Sequence, residues 1–253
     1  MFRNAIVRAP CKHLKEGLTT SSLGKPDYLK ALEQHSNYIV TLRQTGLKVK
    51  VLPENDLFPD SVFIEDIALC TPVFAVITNP GAESRRGEVQ GIREVMEEFY
   101  NLIEEIHFPG TLEAGDVMMV NDHYFIGISK RTNIDGAKQL IKILGNHKMT
   151  GDKVLLEKML HLKSGVSYLD KNNMLVCGEF INNKAFEGFN RIQIDEDESY
   201  AANSLWINGK VIVPDGFPKT KNKIEKAGYE TIALDVSEFM KVDGGLSCLS
   251  LRF

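Results

Sequence analysis

The stretch TLEAGDVMMVNDHYFIGIS, residues 111–129, decides the predicted fold. It begins with two carboxylates, Glu113 and Asp116, and continues as two short apolar strands on either side of an Asn-Asp turn. The same order, polar residues first and a hairpin second, occurs in residues 161–177 and 200–214, which turn at Lys-Asn-Asn and Asn-Gly. Asn-Gly is the strongest short hairpin signal. We therefore predict a fold built from hairpins, each with polar side chains at its start.

The polar segments recur at a regular interval. Glu65, Glu113 and His161 lie 48 residues apart, since 113 − 65 and 161 − 113 both equal 48. A repeat of this length, with a helix between successive hairpins, is typical of a ring of about five α/β units, although coincidental spacing in an ordinary layered α+β protein is an alternative. A ring would gather the starts of its hairpins around one central cavity. The segments concerned are FIEDIAL (63–69), LEAGDVM (112–118), HLKSGVSYL (161–169), YAANSLW (200–206) and VDGGLSCL (242–249), with Asp66, Glu113, His161, Asn203 and Cys248.

Three long helices are predicted from apolar residues spaced three or four positions apart. They cover residues 26–45, ended by Gly46, then residues 86–106, and residues 133–144, begun by Asn133 as the N-cap. Shorter helical segments are predicted near residues 151–160, 181–188 and 219–227. Because no low-complexity linker interrupts the chain, we predict a single domain covering residues 1–253.

The composition excludes several classes of protein. With 30 basic and 34 acidic residues, the formal charge of −4 is not that of a nucleic-acid-binding domain. No apolar run approaches the roughly 20 residues that span a bilayer, and the N-terminus is too polar for a signal peptide. The four cysteines, Cys11, Cys70, Cys177 and Cys248, form no CxxC pair. We expect a cytoplasmic protein with reduced thiols and no membrane partner.

Cys248 and His161 are candidates for nucleophilic catalysis. A cysteine thiolate is a strong nucleophile, and a nearby imidazole lowers the pKa of the thiol. Each residue also has an ordinary structural interpretation. A single cysteine in an apolar segment is commonly a small buried hydrophobe, and a histidine after an apolar run can cap the end of a helix.

Carboxylates among apolar residues form the second candidate group. Their burial is costly unless a cation or hydrogen-bond donors meet them. One interpretation is that the chain's own arginines neutralise them, and the other is that they await a cationic ligand. The acids are Asp60, Glu65, Asp66, Glu113 and Asp116, and the arginines are Arg85, Arg86 and Arg131.

No metal or cofactor is predicted. The six histidines show no HxxH or HExxH spacing, and those other than His161 are predicted on helix surfaces, in turns or in loops. The glycine-containing segments GTLEAGD and VDGGLS match neither nucleotide-binding fingerprint.

Six motifs in order resemble one known family, the dimethylarginine dimethylaminohydrolases of the guanidino-modifying superfamily. They are FPDSVFIED, RRGE, TLEAGDV, SKRTN, HLKS and VDGGLSC, and the resemblance extends from about Leu18 to Cys248. It implies an α/β fold, the five-bladed α/β propeller or pentein, with ββαβ-type repeats around a central active-site cavity. It also implies a small-molecule substrate, no metal or other cofactor, and a monomer or homodimer.

The resemblance implies a role for each matching residue. Cys248 corresponds to the nucleophile, His161 to the general acid and base, and Glu113 to the acid beside them. Asp66 resembles the carboxylate that binds the guanidinium, and Arg85 and Arg131 the cations that hold the amino-acid end. The implied substrate-binding set is Leu18, Asp60, Glu65, Asp66, Arg85, Arg131 and Val242.

One position separates this chain from the related arginine deiminases. Their histidine is followed by Leu-Asp-Thr, whereas His161 is followed by Leu-Lys-Ser, with Lys163 in place of the aspartate. A dimethylated nitrogen has no N–H, so a carboxylate facing it would go unsatisfied. We therefore expect hydrolysis of Nω,Nω-dimethylarginine and monomethylarginine to citrulline and the methylated amine. Alternatives are a related hydrolase or deiminase acting on arginine, agmatine or another alkylguanidine, or a binding module without catalysis.

Overall fold

The computed structural model describes residues Met1–Phe253 and contains five three-stranded β-sheets. The strands are β1 (Asn4–Arg8), β2 (Lys48–Leu52), β3 (Ala68–Cys70), β4 (Ala75–Ile77), β5 (Ile103–Glu105), β6 (Val117–Val120), β7 (His123–Ile128), β8 (Thr150–Leu155), β9 (Val166–Tyr168), β10 (Asn173–Val176), β11 (Asn190–Gln193), β12 (Leu205–Ile207), β13 (Lys210–Pro214), β14 (Glu230–Leu234) and β15 (Leu251–Arg252). The helices are α1 (Tyr28–Gln44), α2 (Ile92–Glu97), α3 (Ile134–Asn146), α4 (Leu162–Gly165), α5 (Pro218–Lys226) and α6 (Ser237–Met240).

All five sheets share one topology. In each, the middle strand pairs antiparallel with one neighbour and parallel with the other, in the orders β15-β1-β2, β3-β4-β5, β6-β7-β8, β9-β10-β11 and β12-β13-β14. The first sheet joins the two ends of the chain, because Ala5 pairs with Arg252. Five copies of one sheet topology confirm the predicted internal repeat.

The predicted hairpins form where the turn signals occur. Asn121 lies at φ 55° between β6 and β7, and Asn208 and Gly209 lie at φ 51° and 94° between β12 and β13. Between β9 and β10, Lys171 and Asn172 are also left-handed, at φ 47° and 64°. Glycine and asparagine accept this conformation at low cost, which is why these turns could be predicted locally.

A short helical turn precedes the first strand of every sheet. It leads the chain into that strand, and the polar residues that the sequence analysis predicted at the strand starts lie within the turn or directly beside it. The five turns are Ile64–Ile67, Ala114–Asp116, α4, Glu196–Ala202 and Ser247–Leu249.

Some helix predictions are confirmed and others are wrong. Helix α1 begins after Asp27, whose side chain accepts a hydrogen bond from the Lys30 N–H, and α3 begins after Asn133 in the same way. The predicted helix over residues 86–106 is instead a 3₁₀ turn, the short α2 and strand β5. Left-handed Gly91 interrupts it at φ 75°, and pairing with β4 makes residues 103–105 extended. Residues 151–160 are not helical, because β8 pairs with β7 there.

The chain divides into two compact units. Residues Met1–Ile64 and Ile194–Phe253 form one, with a core that includes Tyr38, Leu42 and Phe239. His35 is also buried, so its predicted surface position is wrong. Residues Glu65–Gln193 form the other unit, whose apolar clusters are built on β4 and β7 with α3, and on β6, β7 and β10. None of the helices is long and apolar enough to cross a bilayer.

Candidate active site

A buried histidine–carboxylate pair lies at the centre of the candidate site in unit Glu65–Gln193. His161 immediately precedes α4, and its Nε2 lies 2.8 Å from Oε2 of Glu113, which precedes the turn Ala114–Asp116. The Oδ1 of Asp66 lies 4.0 Å from the same Nε2. The hairpin starts of three sheets therefore bring together three residues that are 47 and 48 positions apart in sequence (113 − 66 and 161 − 113).

The electrostatics of this pair favour its charged form. Burial by itself would lower the pKa of His161, but the carboxylates of Asp66, Asp116 and Glu113 outweigh burial and raise that pKa to about 9. Burial would raise the pKa of Glu113, yet the hydrogen bond and charge of His161, together with Arg85 and Arg131, lower it to about 2. Near neutral pH the pair is an imidazolium and a carboxylate, and His161 carries a proton that it can donate.

Asp66 accepts a guanidinium from the protein itself. Nη1 of Arg85 lies 2.5 Å from its Oδ2, while Nε and Nη2 of Arg85 bind Glu88 in a bidentate contact at 3.0 and 2.8 Å. The backbone N–H of Gly115 donates to the other oxygen of Asp66 at 3.0 Å. A Cβ atom at position 115 would lie 2.7 Å from that oxygen and 2.9 Å from Nδ1 of His161, so the close approach requires glycine.

Two further basic residues contact acids of the same unit. Nη1 of Arg131 lies 3.3 Å from Oε1 of Glu113, and Nζ of Lys163 lies 2.7 Å from Oε1 of Glu65. The arginines predicted to hold the amino-acid end of a substrate thus contact carboxylates here. These contacts agree with one of the two interpretations of the sequence, in which the chain's own arginines neutralise the buried acids. The role of the arginines toward a substrate stays a prediction.

Asp66, Glu113 and His161 are also close enough to be considered as metal ligands. One potential ligand atom from each lies within 4.8 Å of the others. A metal-ligating imidazole is neutral, however, whereas the pKa of His161 is raised to about 9 and its Nε2 already contacts Glu113. The arrangement fits proton transfer and a planar cation with N–H donors better than a metal ion. The predicted absence of a metal stays a prediction.

Cys248 lies in the short turn Ser247–Leu249 of the other unit and is only partly buried. The side chain of Asn203 holds this turn, since its amide donates to Oγ of Ser247 and its oxygen accepts from the Ser247 N–H, at 3.0 and 2.9 Å. The backbone N–H of Gly245 points to the sulfur at 3.5 Å. Asn203, which the sequence analysis predicted at a central cavity, positions the turn that carries the cysteine.

The segment before α1 donates hydrogen bonds to two acidic residues of its own unit. The backbone N–H of Leu18 donates to both oxygens of Asp60, at 3.0 and 3.2 Å. The N–H and hydroxyl of Thr20 donate to Oδ2 of Asp243, which follows the buried Val242. The predicted substrate contacts Leu18 and Asp60 are thus adjacent to each other in the structure.

Comparisons with known proteins decide the family. The family described as "N,N dimethylarginine dimethylhydrolase, eukaryotic" matches residues 25–250. The dimethylarginine dimethylaminohydrolase of Pseudomonas aeruginosa is 54% identical over 254 aligned positions, which cover 100% of both chains. The chain belongs to the dimethylarginine dimethylaminohydrolase family. The Streptomyces coelicolor member is 34% identical and matches 99% of this chain and 96% of its own length.

Solved structures agree with this membership. A cysteine-to-serine mutant of the Pseudomonas aeruginosa dimethylarginine dimethylaminohydrolase, complexed with citrulline, has a TM-score of 0.99 over 100% of both chains at 54% identity. The N-terminal domain of ArgZ has a TM-score of 0.89 over 100% of this chain and 97% of that one, and at 20% identity it shows the fold alone. These findings confirm the predicted family, the α/β fold of the pentein type and the class of C–N hydrolase.

Sequence reasoning missed several residues that support the site. It assigned no role to Glu88, which binds Arg85, or to Ser129 and Thr132, whose hydroxyls accept the backbone N–H groups of Arg131 and Glu113. All three occur within the motifs RRGE and SKRTN that carried the resemblance. The signal was therefore present, but only the fold shows which atoms they contact.

Proposed function

We propose that Cys248, His161 and Glu113 carry out the reaction of this family in the present chain. The substrates are Nω,Nω-dimethylarginine and monomethylarginine, and the products are citrulline and dimethylamine or methylamine. The observation that carries the proposal is the buried pair of His161 and Glu113, 2.8 Å apart, which keeps a proton on the imidazole beside the acid Asp66. Proton donation is what the departure of an amine from a guanidinium requires.

The reaction proceeds in two steps. The thiolate of Cys248 attacks the central guanidinium carbon, a C–S bond forms, and the C–N bond to the methylated nitrogen breaks as His161 protonates the departing amine. His161, now neutral, takes a proton from water, the resulting hydroxide attacks the carbon, and the C–S bond breaks to release citrulline and restore Cys248. Glu113 orients the imidazole and stabilises its charged form throughout.

Substrate binding uses the acids and bases around this pair. An ionised carboxylate has about four lone-pair positions, so Asp66 can accept the substrate guanidinium while it keeps Arg85 and Gly115. Arg131, which is part-buried, is proposed to bind the carboxylate of the amino acid. The full proposed set remains Leu18, Asp60, Glu65, Asp66, Arg85, Arg131 and Val242.

Lys163 is proposed to set the preference for methylated guanidines. Its Nζ lies 2.7 Å from Glu65, so the position that holds a guanidinium-binding aspartate in arginine deiminases holds a cation here. A carboxylate that already has a cationic partner gains less from a substrate N–H. A dimethylated nitrogen has no N–H to donate, and a monomethylated nitrogen has one fewer than free arginine. At this position either substrate therefore loses little binding energy relative to arginine.

Ligands of related structures support this substrate class. The Pseudomonas aeruginosa cysteine-to-serine mutant holds citrulline, and a histidine-to-glycine dimethylarginine dimethylaminohydrolase forms an adduct with S-methyl-L-thiocitrulline. The second structure matches this chain with a TM-score of 0.98 at 54% identity. Both ligands carry an arginine-like skeleton with a modified terminal group.

We further propose that residues 1–253 act as one catalytic domain in the cytoplasm, as a monomer or homodimer without a nucleic-acid partner. None of the four cysteines is in a disulfide, which fits a reducing compartment. The formal charge of −4 does not favour a polyanionic partner.

A substrate panel tests the proposal. Citrulline and the released amine are measured with arginine, monomethylarginine and dimethylarginine, for the wild type, Cys248→Ser and the matched control Cys70→Ser. We expect dimethylamine from dimethylarginine in the wild type and in Cys70→Ser, and no turnover in Cys248→Ser. Ammonia from free arginine as the preferred reaction, or turnover by Cys248→Ser near the wild-type rate, would contradict the proposal.

A further inference from the structure

Asp116 is a buried carboxylate three residues after Glu113, and the mechanism above assigns it no step. It lies at the end of the turn Ala114–Asp116, with no exposed surface. Burying a carboxylate is costly unless hydrogen bonds and positive charge compensate it, so its partners identify what it does.

The hydrogen bonds of Asp116 reach two other segments of the site, the turn that begins at Leu162 and the loop that contains Ser129 and Thr132. Its Oδ1 accepts the backbone N–H of Leu162, the residue after His161, at 2.9 Å. Its Oδ2 accepts the hydroxyl of Ser129 at 2.7 Å, and Thr132 donates to the carboxylate as well.

The two hydroxyl residues extend this network to the other site residues. Oγ1 of Thr132 accepts the backbone N–H of Glu113 at 3.1 Å. Oγ of Ser129 accepts the backbone N–H groups of Arg131 and Thr132, at 2.9 and 3.1 Å. One carboxylate is therefore connected to the backbone of Leu162, the residue after His161, by one hydrogen bond, and to the backbones of Glu113 and Arg131 through one hydroxyl each.

We propose that Asp116 is a positioning residue that holds the segments of His161, Glu113 and Arg131 in register and, through its negative charge, keeps His161 protonated. This inference rests on the proposed role of His161 as general acid. The hydrogen bonds supply the geometry, and the fully buried charge acts on the imidazole without screening by solvent.

The charged groups around His161 allow the contribution of Asp116 to be separated. Three acids face the imidazole: Asp66 from the turn before β3, Glu113 from the segment before β6, and Asp116 itself. Arg85 and Arg131 contact the first two of these acids, whereas the described partners of Asp116 are neutral donors apart from His161. The negative charge of Asp116 is thus the least compensated of the three.

Asp116→Asn tests the proposal. The pKa of His161 is measured by NMR titration in the free enzyme, and the alkaline limb of the kcat profile is measured with dimethylarginine. We expect the pKa of His161 to fall from about 9 by roughly one unit, with the alkaline limb moving by the same amount. The matched control is Glu179→Gln, because Glu179 accepts backbone N–H bonds from residues 157–159 on the same approach to His161.

The pKa of His161 in the two variants decides between a specific role of Asp116 and a general structural effect. An unchanged pKa of His161 in folded Asp116→Asn, or equal shifts in Asp116→Asn and Glu179→Gln, would overturn the proposal. If Asp116→Asn does not fold, Thr132→Val and Thr132→Ser are measured instead. A lower kcat in Thr132→Val, with a kcat near the wild-type value in Thr132→Ser, supports the hydrogen-bond network. A wild-type kcat in both variants refutes the network. Because the titration needs no turnover, its result does not depend on the proposed hydrolysis.

Discussion

Replacement of Glu113 by glutamine removes the charge beside His161 while preserving the size of the side chain. The pKa of His161 is raised from 6.5 to about 9, and that of Glu113 is lowered from 4.5 to about 2. Because the Glu113–His161 interaction contributes to both changes in pKa, it counts once and amounts to at most about 3 kcal/mol. Since Asp66 and Asp116 also raise the pKa of His161, we expect Glu113→Gln to remove about half of this stabilising free energy.

The sign of each shift fixes the pH range of the effect. The folded-state pKa of Glu113 is lowered, so its stabilisation is present above pH 4.5 and is lost as the pH falls toward about 2. The folded-state pKa of His161 is raised, so its stabilisation is present below pH 6.5 and is lost as the pH rises toward about 9. The ion pair therefore stabilises the fold most between about pH 4.5 and 6.5.

Urea unfolding of the wild type and Glu113→Gln across this range measures the effect. We expect the difference in unfolding free energy to be about 1–2 kcal/mol near pH 5.5 and to decrease on both sides. The alkaline limb of kcat is expected to move down from about pH 9 by roughly one unit. Glu83→Gln, at an exposed glutamate, is the control. A difference that stays constant from pH 3 to pH 9 would refute the ion pair.

Three further changes test other parts of the structure. Lys163→Ala, which removes the partner 2.7 Å from Glu65, is expected to raise kcat/KM for arginine relative to dimethylarginine about tenfold; an unchanged ratio would exclude this specificity role. Burial lowers the pKa of His35 to about 4, so the unfolding free energy of the wild type is expected to fall by about 3 kcal/mol between pH 6.5 and pH 4. His35→Phe is expected to lose less stability over this range. Urea unfolding at both pH values measures the difference, and equal losses in both proteins would contradict the expectation. Asp243→Asn is expected to accelerate hydrogen exchange in residues 18–24, because Asp243 accepts two bonds from Thr20; unchanged exchange would show that this contact does not hold the segment.

The parts of the fold that local chemistry determines could be predicted from the sequence. The turns at Asn121 and Asn208 form because these residues accept positive φ, and α1 and α3 begin at side chains that cap their first turns. Residues 86–106 were predicted wrongly because their apolar spacing is compatible with a helix, whereas the pairing of Ile103 with Ala75 is not visible in the local sequence. Tertiary pairing overrides weak helix propensity in such segments.

The candidate site shows the same limit. The motifs identified the acids and His161, but not which partner each acid has. Arg85 binds Glu88 three positions away, a spacing that the sequence contains, whereas its contact with Asp66 spans 19 residues and arises only from the fold. Asp116 is visible in the sequence as a carboxylate among apolar residues, but its bond to Leu162, 46 residues away, and its charge on His161 arise only from the fold.

Rapid acid quenching of the enzyme during turnover of dimethylarginine, followed by mass spectrometry of its peptides, shows directly whether Cys248 is the nucleophile. We expect a transient thiouronium adduct on the peptide that contains Cys248 and on no other. An adduct on another residue, or continued turnover when Cys248 is alkylated, would contradict it.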